Sequence, residues 1–243
     1  MVTTPNTKPL IFKGLGVLEG DFGKDFLEEY NRRVKVAYND NSALNVLGMR
    51  PGYFKADVVR GSNPFAVVFA NQILRQERFR VATPADAEKA FKFGDPTLRE
   101  AYIDTGLVLR SKDDPNGYLA KDLMSQIEKI TGKKVEMPAM IPLNGLELRT
   151  DQNSYYGLAF NFTDSSEIIH DSILNKPGNF SSEDINPKTG LPKKIGDKGN
   201  RIFHTRDSGL SRLVLRNLEL FSNWEILESS GYGRVVVVSD EAT

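Results

Sequence analysis

His170 beside Asp171, and His204 close to Asp207 and Ser208, are the two imidazoles of the chain and the natural starting point for any catalytic reading. A zinc centre built on both would require them to converge from distant segments, against the simpler reading of two surface or strand histidines. Ser208, His204 and Asp207 have the residue types of a hydrolase triad, but they are crowded into one short segment that leaves little room for a hydrogen-bond relay. No nucleophile-elbow signature surrounds the serine. Asp164, Glu167 and Asp171 could share a turn as a carboxylate cluster, and a solvated acidic face explains them equally well. Gly14, Gly16 and Gly20 follow a short apolar run, yet their spacing misses the dinucleotide fingerprint and no Gly-Lys-Ser or Gly-Lys-Thr is present for a phosphate loop. No catalytic or metal-binding constellation stands above background, and no cofactor is expected.

A different chemistry is offered near the C-terminus. Leu213, Leu215, Leu218 and Leu220 keep a strand-like period of two, broken once at Arg216 and Asn217, while Val214, Glu219 and Phe221 fall on the opposite face. Beyond them Asn223, Trp224, Glu225, Glu228, Ser230 and Tyr232 mix amide, aromatic, acid and hydroxyl before a last apolar strand, Val235 to Val238. Aromatic rings supply contact area at low entropic cost, and Asn, Ser and Arg supply adaptable hydrogen bonds, which is the composition of a binding surface. The plainer alternative is the solvated face of an antiparallel sheet.

Several helices and strands must position this segment. Leu10 to Lys13 is a short strand, and Phe26, Leu27, Tyr30 and Val34 give one apolar helical stripe. Asn63-Pro64 and Thr83-Pro84-Ala85-Asp86 are cap-plus-proline helix starts. Phe65, Val68, Phe69 and Ile73 form the buried face of the first of these helices, and Ala87, Ala90 and Phe91 that of the second. Phe79 to Ala82 and Thr105 to Arg110 read as strands, and Asp95-Pro96 opens a short helix. Asp114-Pro115-Asn116 precedes a helix with Tyr118, Leu119, Leu123, Ile127 and Ile130 on one side. Val135 to Ile141 is extended and broken by prolines, which predicts an edge strand. Leu146 to Arg149 and Tyr155 to Phe162 flank a turn and predict a hairpin, and Asn175 to Asn200 reads as a long mobile surface loop. Helices come first and strands later, so the expected class is α+β in one domain spanning 1–243.

The bulk numbers narrow the partners. With 32 basic and 32 acidic residues the net charge is zero, which disfavours nucleic acid and anionic membranes. Cysteine is absent, which removes disulfides and thiolate chemistry. With no leader-like start and no apolar run of spanning length, the expectation is a cytoplasmic protein without a membrane span.

From Gly209-Leu210-Ser211-Arg212-Leu213 through Gly233-Arg234-Val235-Val236-Val237-Val238-Ser239 the chain resembles the variable proteins of diversity-generating retroelements, particularly those of archaea. Phe79 to Glu88, Ile141 to Leu148, Tyr156 to Phe160 and Thr205 to Gly209 resemble the constant framework of the same group. In that family a reverse transcriptase copies a template repeat with errors at adenines and installs the copy in the target gene, diversifying a ligand-binding site on a C-type lectin fold. The resemblance implies a C-type lectin-like fold, with a variable region at 209–239 and a macromolecular ligand, a protein. Its diversified contacts would be Val214, Arg216, Asn217, Glu219, Phe221, Asn223, Trp224, Glu225, Ser230 and Tyr232, with Trp224, Tyr232, Phe221 and Arg216 as anchors. Two departures accompany it. Mutating the first two bases of the codon AAC cannot give Trp or Glu, so Trp224, Glu219, Glu225 and Glu228 need other template codons or are fixed. The block also ends in Gly233-Arg234-Val235 instead of the Gly-Phe-Arg of bacterial relatives. A fixed-sequence lectin using calcium, a structural domain, and an enzyme on the same fold are the alternatives, the last weakened because formylglycine-generating oxidases use cysteines.

Overall fold

Caps and apolar stripes place the helices. In the computed structural model, which describes residues 15–52, 56–94, 98, 100–228 and 231–239, β1 (Leu15–Val17) leads into α1 (Gly20–Tyr38), whose stripe Phe26, Leu27, Tyr30 and Val34 is buried. The hairpin β2 (Gly48–Pro51) and β3 (Asp57–Arg60) precedes α2 (Pro64–Leu74), where Asn63 Oδ1 accepts the Ala66 N–H at 2.8 Å. Nearly all of α2 is buried, not one face of it, because it runs through the largest apolar cluster. After β4 (Phe79–Val81), α3 (Pro84–Phe93) opens on a full capping box between Thr83 and Asp86. β5 (Ile103–Leu109) is followed by α4 (Gly117–Thr131), which buries Leu119, Leu123 and Ile127, while Tyr118 and Ile130 are exposed. The expected strand at Leu10 to Lys13 and the expected helix at Asp95-Pro96 lie outside the described residues.

The remaining chain is strands: β6 (Ala139–Pro142), the hairpin β7 (Leu146–Thr150) and β8 (Leu158–Phe162), β9 (Ile169–His170), β10 (Gly178–Phe180), β11 (Arg201–Thr205), β12 (Leu210–Arg216), β13 (Glu219–Trp224) and β14 (Val236–Ser239). A curled seven-stranded sheet runs β10-β11-β13-β12-β5-β6-β9, antiparallel except for the β11–β13 pair, and a smaller sheet β1-β14-β4 ties the start of the described chain to its end. The architecture is mixed α+β with four helices among the described residues. Helices do precede most strands, but β1 to β5 lie among them, and β5 is the neighbour of the central strand β12.

Two expectations are corrected. β6 is not an edge: Ala139–Pro142 pairs with β5 on one side and β9 on the other, and all four of its residues are buried. Pro138 lies just before the strand and Pro142 is its last residue, opposite Gly106 of β5, so the prolines flank the paired run and do not interrupt it. Nor is 175–200 a featureless loop. It contains β10, a bridge between Asn179 and Gly196 and another between Ile185 and Pro192, and it buries Phe180, Ile185 and Leu191 against the large sheet.

A bulge in β5 sets which side chains meet across the centre of the large sheet. Leu213 pairs with Gly106 but Val214 pairs with Asp104, so Thr105 is an extra residue. The slip moves Ile103 to the face of Leu213, Leu215 and Leu220, and Asp104 to the face of Arg212 and Val214.

The α3 capping box carries a pH signature. Burial opposes the charge on Asp86, but hydrogen bonds from Arg80 and Thr83 outweigh it and hold its carboxyl below the ordinary carboxylate value. A lowered folded value means that the stabilisation is complete above the unfolded pKa and disappears as pH falls through the folded one. Denaturation midpoints should therefore drop below about pH 4 in the native chain, and Asp86→Asn should start lower and flatten that acid limb, as read by urea titration at several pH values.

Candidate functional site

Beneath the C-terminal segment lies a wholly buried ion pair. Arg212, on β12, donates from Nε to Asp104 Oδ1 at 2.6 Å and from Nη2 to Asp104 Oδ2 at 2.5 Å, and both side chains are fully excluded from solvent. Ser62 Oγ donates a short hydrogen bond to the same carboxylate, and the Ser62 carbonyl accepts from Arg212 Nη2 at 3.3 Å. The third guanidinium nitrogen, Nη1, has no hydrogen-bond partner among the described residues; the group lies instead over the Trp224 ring, 5.4 Å from its centroid.

On that base rests a ledge of aromatic rings. Trp224 packs on Phe221 at 4.8 Å and on Tyr102 at 5.1 Å, and Phe221 stacks on His204 at 4.8 Å with the planes 10° apart. Arg216 lies over Tyr102 at 5.2 Å and donates to Glu219 at 3.0 Å, whose other oxygen is 3.4 Å from His204 Nε2. Farther along, Glu225 accepts from Arg206 at 3.0 Å and from Asn116 Nδ2 at 3.2 Å, and its backbone N–H donates to Glu228. Beside the ledge a second buried guanidinium, Arg110, has no carboxylate in ion-pair contact among the described residues. It donates to Asn175 Oδ1, Ser211 Oγ, the Leu174 carbonyl, Thr205 Oγ1 and Ser222 Oγ, and burial together with repulsion from Arg206 brings its pKa down to about 10.

The ends of the segment are fixed by close packing. A Cβ on Gly209, where φ is +71°, would collide with Pro115, and one on Gly233 would come within 2.6 Å of Ser62. Between them the predicted alternation is present: Val214 pairs with Phe221 and Arg216 with Glu219 on one face, and Leu215 with Leu220 on the other. Leu218 departs from the lattice. It sits with Asn217 in the β12–β13 turn and is 60% exposed.

Of the ten predicted contacts, Trp224, Arg216 and Glu219 form the half-buried ledge, Phe221, expected as an anchor, is instead buried among Tyr102, His204 and Trp224, Glu225 borders the ledge, and Asn217 and Tyr232 are exposed, with the Tyr232 carbonyl accepting the Tyr102 N–H at 3.3 Å. Asn223 is half-buried. Val214 is on the ledge's face by register but has no exposed surface, so it supports the rings instead of presenting itself. Ser230 lies outside the described residues. Sequence reasoning missed Tyr102, His204, Asn116 and Arg206, which reach the ledge from other segments. For Tyr102 the one local signal was an aromatic residue directly before the β5 run.

The candidate enzymatic groups are not assembled. Five strand spacings of about 4.8 Å, roughly 24 Å, separate β11 with His204 from β9 with His170. Among the described residues no group of three or more His, Asp or Glu could hold a metal ion. Ser208 Oγ donates to the Asp114 carbonyl at 3.1 Å, away from the His204 ring that faces Glu219. No family model, curated protein or solved structure matches the chain.

Removing one member of a buried pair strands the other charge. Asp104→Ala should cost about 3–5 kcal/mol, and an Asp104→Leu, Arg212→Met double variant should recover most of that loss. Urea titration followed by the fluorescence of Trp224, the single tryptophan, would measure both the stability and the seating of the ledge.

Proposed function

We propose that the chain is a non-enzymatic recognition protein of C-type lectin-like fold that binds another protein through the ledge, and that 209–239 is the diversified region of an archaeal retroelement variable protein. The observation that carries the reading is a cluster of aromatic side chains, Trp224, Tyr102 and His204 half-buried around a buried Phe221, seated on a buried ion pair. Ile202, Leu218 and Tyr232, at 42%, 60% and 59% exposure, border this surface and continue its apolar character into solvent. Contiguous exposed apolar area of this kind marks interaction sites, and Trp, Tyr and Arg are the usual anchors of protein interfaces.

Of the positions unreachable from AAC, Glu225 is bonded to Arg206 and Asn116 and Glu219 lies 3.4 Å from His204 Nε2, both contacts outside 209–239, while Trp224 and Glu228 contact Arg212 and the residue 225 backbone within it. Among the reachable positions Asn217 and Tyr232 are exposed and are the side chains best placed to vary as contacts, whereas Val214 and Phe221 are buried and Arg216 is paired with Glu219.

Sequencing of the surrounding locus tests the reading most directly. A near-copy of the DNA for Leu213 to Tyr232, differing where it carries adenine and lying beside a reverse-transcriptase gene, is the expected result. A locus with neither would reduce the segment to the surface of a fixed-sequence domain. At the protein level, Asn217→Ala and Tyr232→Ala should each leave the melting temperature within about 2 °C, since exposed substitutions change stability by about half a kcal/mol or less. A shift several times larger would assign these side chains to the framework.

A further inference from the structure

Asn116 stands at the N-cap position of α4 and does not cap it. Asparagine at such a position ordinarily turns its side-chain oxygen back onto the first helical N–H groups. Here the backbone is left-handed, with φ 62° and ψ 32°, and no side-chain capping bond is made; Asp114 Oδ1 accepts the Gly117 N–H at 3.2 Å in its place. The Asn116 amide is turned instead to three other parts of the chain.

Its Nδ2 donates to the Leu210 carbonyl at 2.8 Å and to Glu225 Oε2 at 3.2 Å, and its Oδ1 accepts from the Tyr156 hydroxyl at 2.9 Å. Both amide hydrogens are thus used at the open end of the β12–β13 hairpin, one on the residue that begins β12 and one on the residue just after β13. The backbone before Asn116 lies along the same stretch. The Pro115 carbonyl accepts the Leu210 N–H at 3.0 Å, Ser111 Oγ accepts the Gly209 N–H at 3.0 Å, and Ser208 Oγ donates to the Asp114 carbonyl at 3.1 Å. Residues 111–115 hold the entry to β12, and the Asn116 side chain extends that hold to Glu225.

Glu225 follows Trp224 directly, and its side chain is 45% exposed. Arg206 Nη1 donates to Oε1 at 3.0 Å while Asn116 holds Oε2, so both oxygens are located from outside 209–239. The turn beyond is tied to the same residue: the Glu225 N–H donates to Glu228 Oε2 at 3.1 Å, and the Glu228 N–H to the Glu225 carbonyl at 3.2 Å. A carboxylate has about four acceptor sites, so the Glu225 oxygens can still receive a donor from a bound molecule. A group that is ordered beforehand loses little entropy on contact.

We infer that Asn116 is a positioning residue for the ledge: acting through Glu225, its amide fixes that carboxylate as an acceptor for a hydrogen-bond donor of the partner and holds the 225–228 turn in place. Asn116 lies outside 209–239, so the same fixture serves every version of the segment that keeps a carboxylate at 225. That the fixture serves binding rests on the recognition reading above.

Amide hydrogen exchange of the full chain, followed by NMR in three variants, tests it. Asn116→Gly keeps the left-handed backbone, which glycine adopts freely, and removes only the amide. It should speed exchange at Glu225 and Glu228 about tenfold, while the remote amides of Gly132 and Gly190, bonded to the Glu128 and Asn186 carbonyls, stay within about twofold. Asn116→Asp sets a carboxylate where Glu225 had a donor and should speed the same two amides further. Adding Glu225→Gln to Asn116→Asp exchanges amide and carboxylate between the two positions, and should return both amides to within about threefold of the native chain. Unchanged exchange in Asn116→Gly, or an equal rise at Gly132 and Gly190, overturns the inference. So does a double variant without recovery, which would assign the effect to Leu210 or Tyr156. No ligand enters these measurements, so they can fail where the locus carries a template repeat and succeed where it carries none.

Discussion

The ion pair between Arg212 and Asp104 is the constraint on which the C-terminal half of the structure depends. Burying two charges costs several kcal/mol per ion unless geometry and extra hydrogen bonds compensate. Here the bidentate contact, the Ser62 hydroxyl and the Trp224 ring supply that compensation. The pair exists only because the β5 bulge brings Asp104 to the face of Arg212. It also fixes the approach of the Ser62 backbone, against which Gly233 must pack without a side chain. Bulge, ion pair, glycine and tryptophan are therefore one device, built from four separated parts of the sequence.

Two further buried guanidinium groups act in the same manner around the sheet. Arg201 on β11 is paired with Glu88 of α3 at 2.6 Å and donates to the Arg216 carbonyl at the end of β12. Arg110 joins the end of β5 to the hydroxyls of β11, β12 and β13. The strands under the ledge are thus located by directional polar contacts as well as by the leucines of the opposite face. Such contacts specify one register, because a slip of a single residue would strand each cation without acceptors.

Legibility in the sequence depended on how local each signal is. The caps at Asn63 and Thr83 and the stripe of α1 were legible because partner and signal lie within four residues. The alternation of Val214, Leu215, Leu220 and Phe221 was legible because a strand's period is two, but Leu218 could not be separated from it without knowing that the turn falls at Asn217. β6 read as an edge because its prolines are visible in sequence, whereas its pairing with β5 on one side and β9 on the other is not. The loop 175–200 read as mobile from its polar composition, yet Phe180, Ile185 and Leu191 were sufficient to seat it. Tyr102, His204 and Asn116 were missed for one reason: each joins the ledge from another segment of the chain, Asn116 at a separation of 109 residues from Glu225.

The same non-locality explains how a segment could accept many substitutions. A side chain whose bonds all lie within its own segment can be exchanged only together with its neighbours, whereas one that rests on distant framework can be exchanged alone. Phe221 rests on His204 of β11 and Tyr102 beside β5, both outside 209–239, so the platform beneath position 221 remains when the ring changes. Trp224 is the converse case. Its ring lies over the Arg212 guanidinium, whose Nη1 has no hydrogen-bond partner among the described residues, and a smaller side chain there would leave a buried cation less well covered. Position 224 is thus held by the charge beneath it, while Phe221, buried among Tyr102, His204 and Trp224, rests mainly on rings from outside the segment.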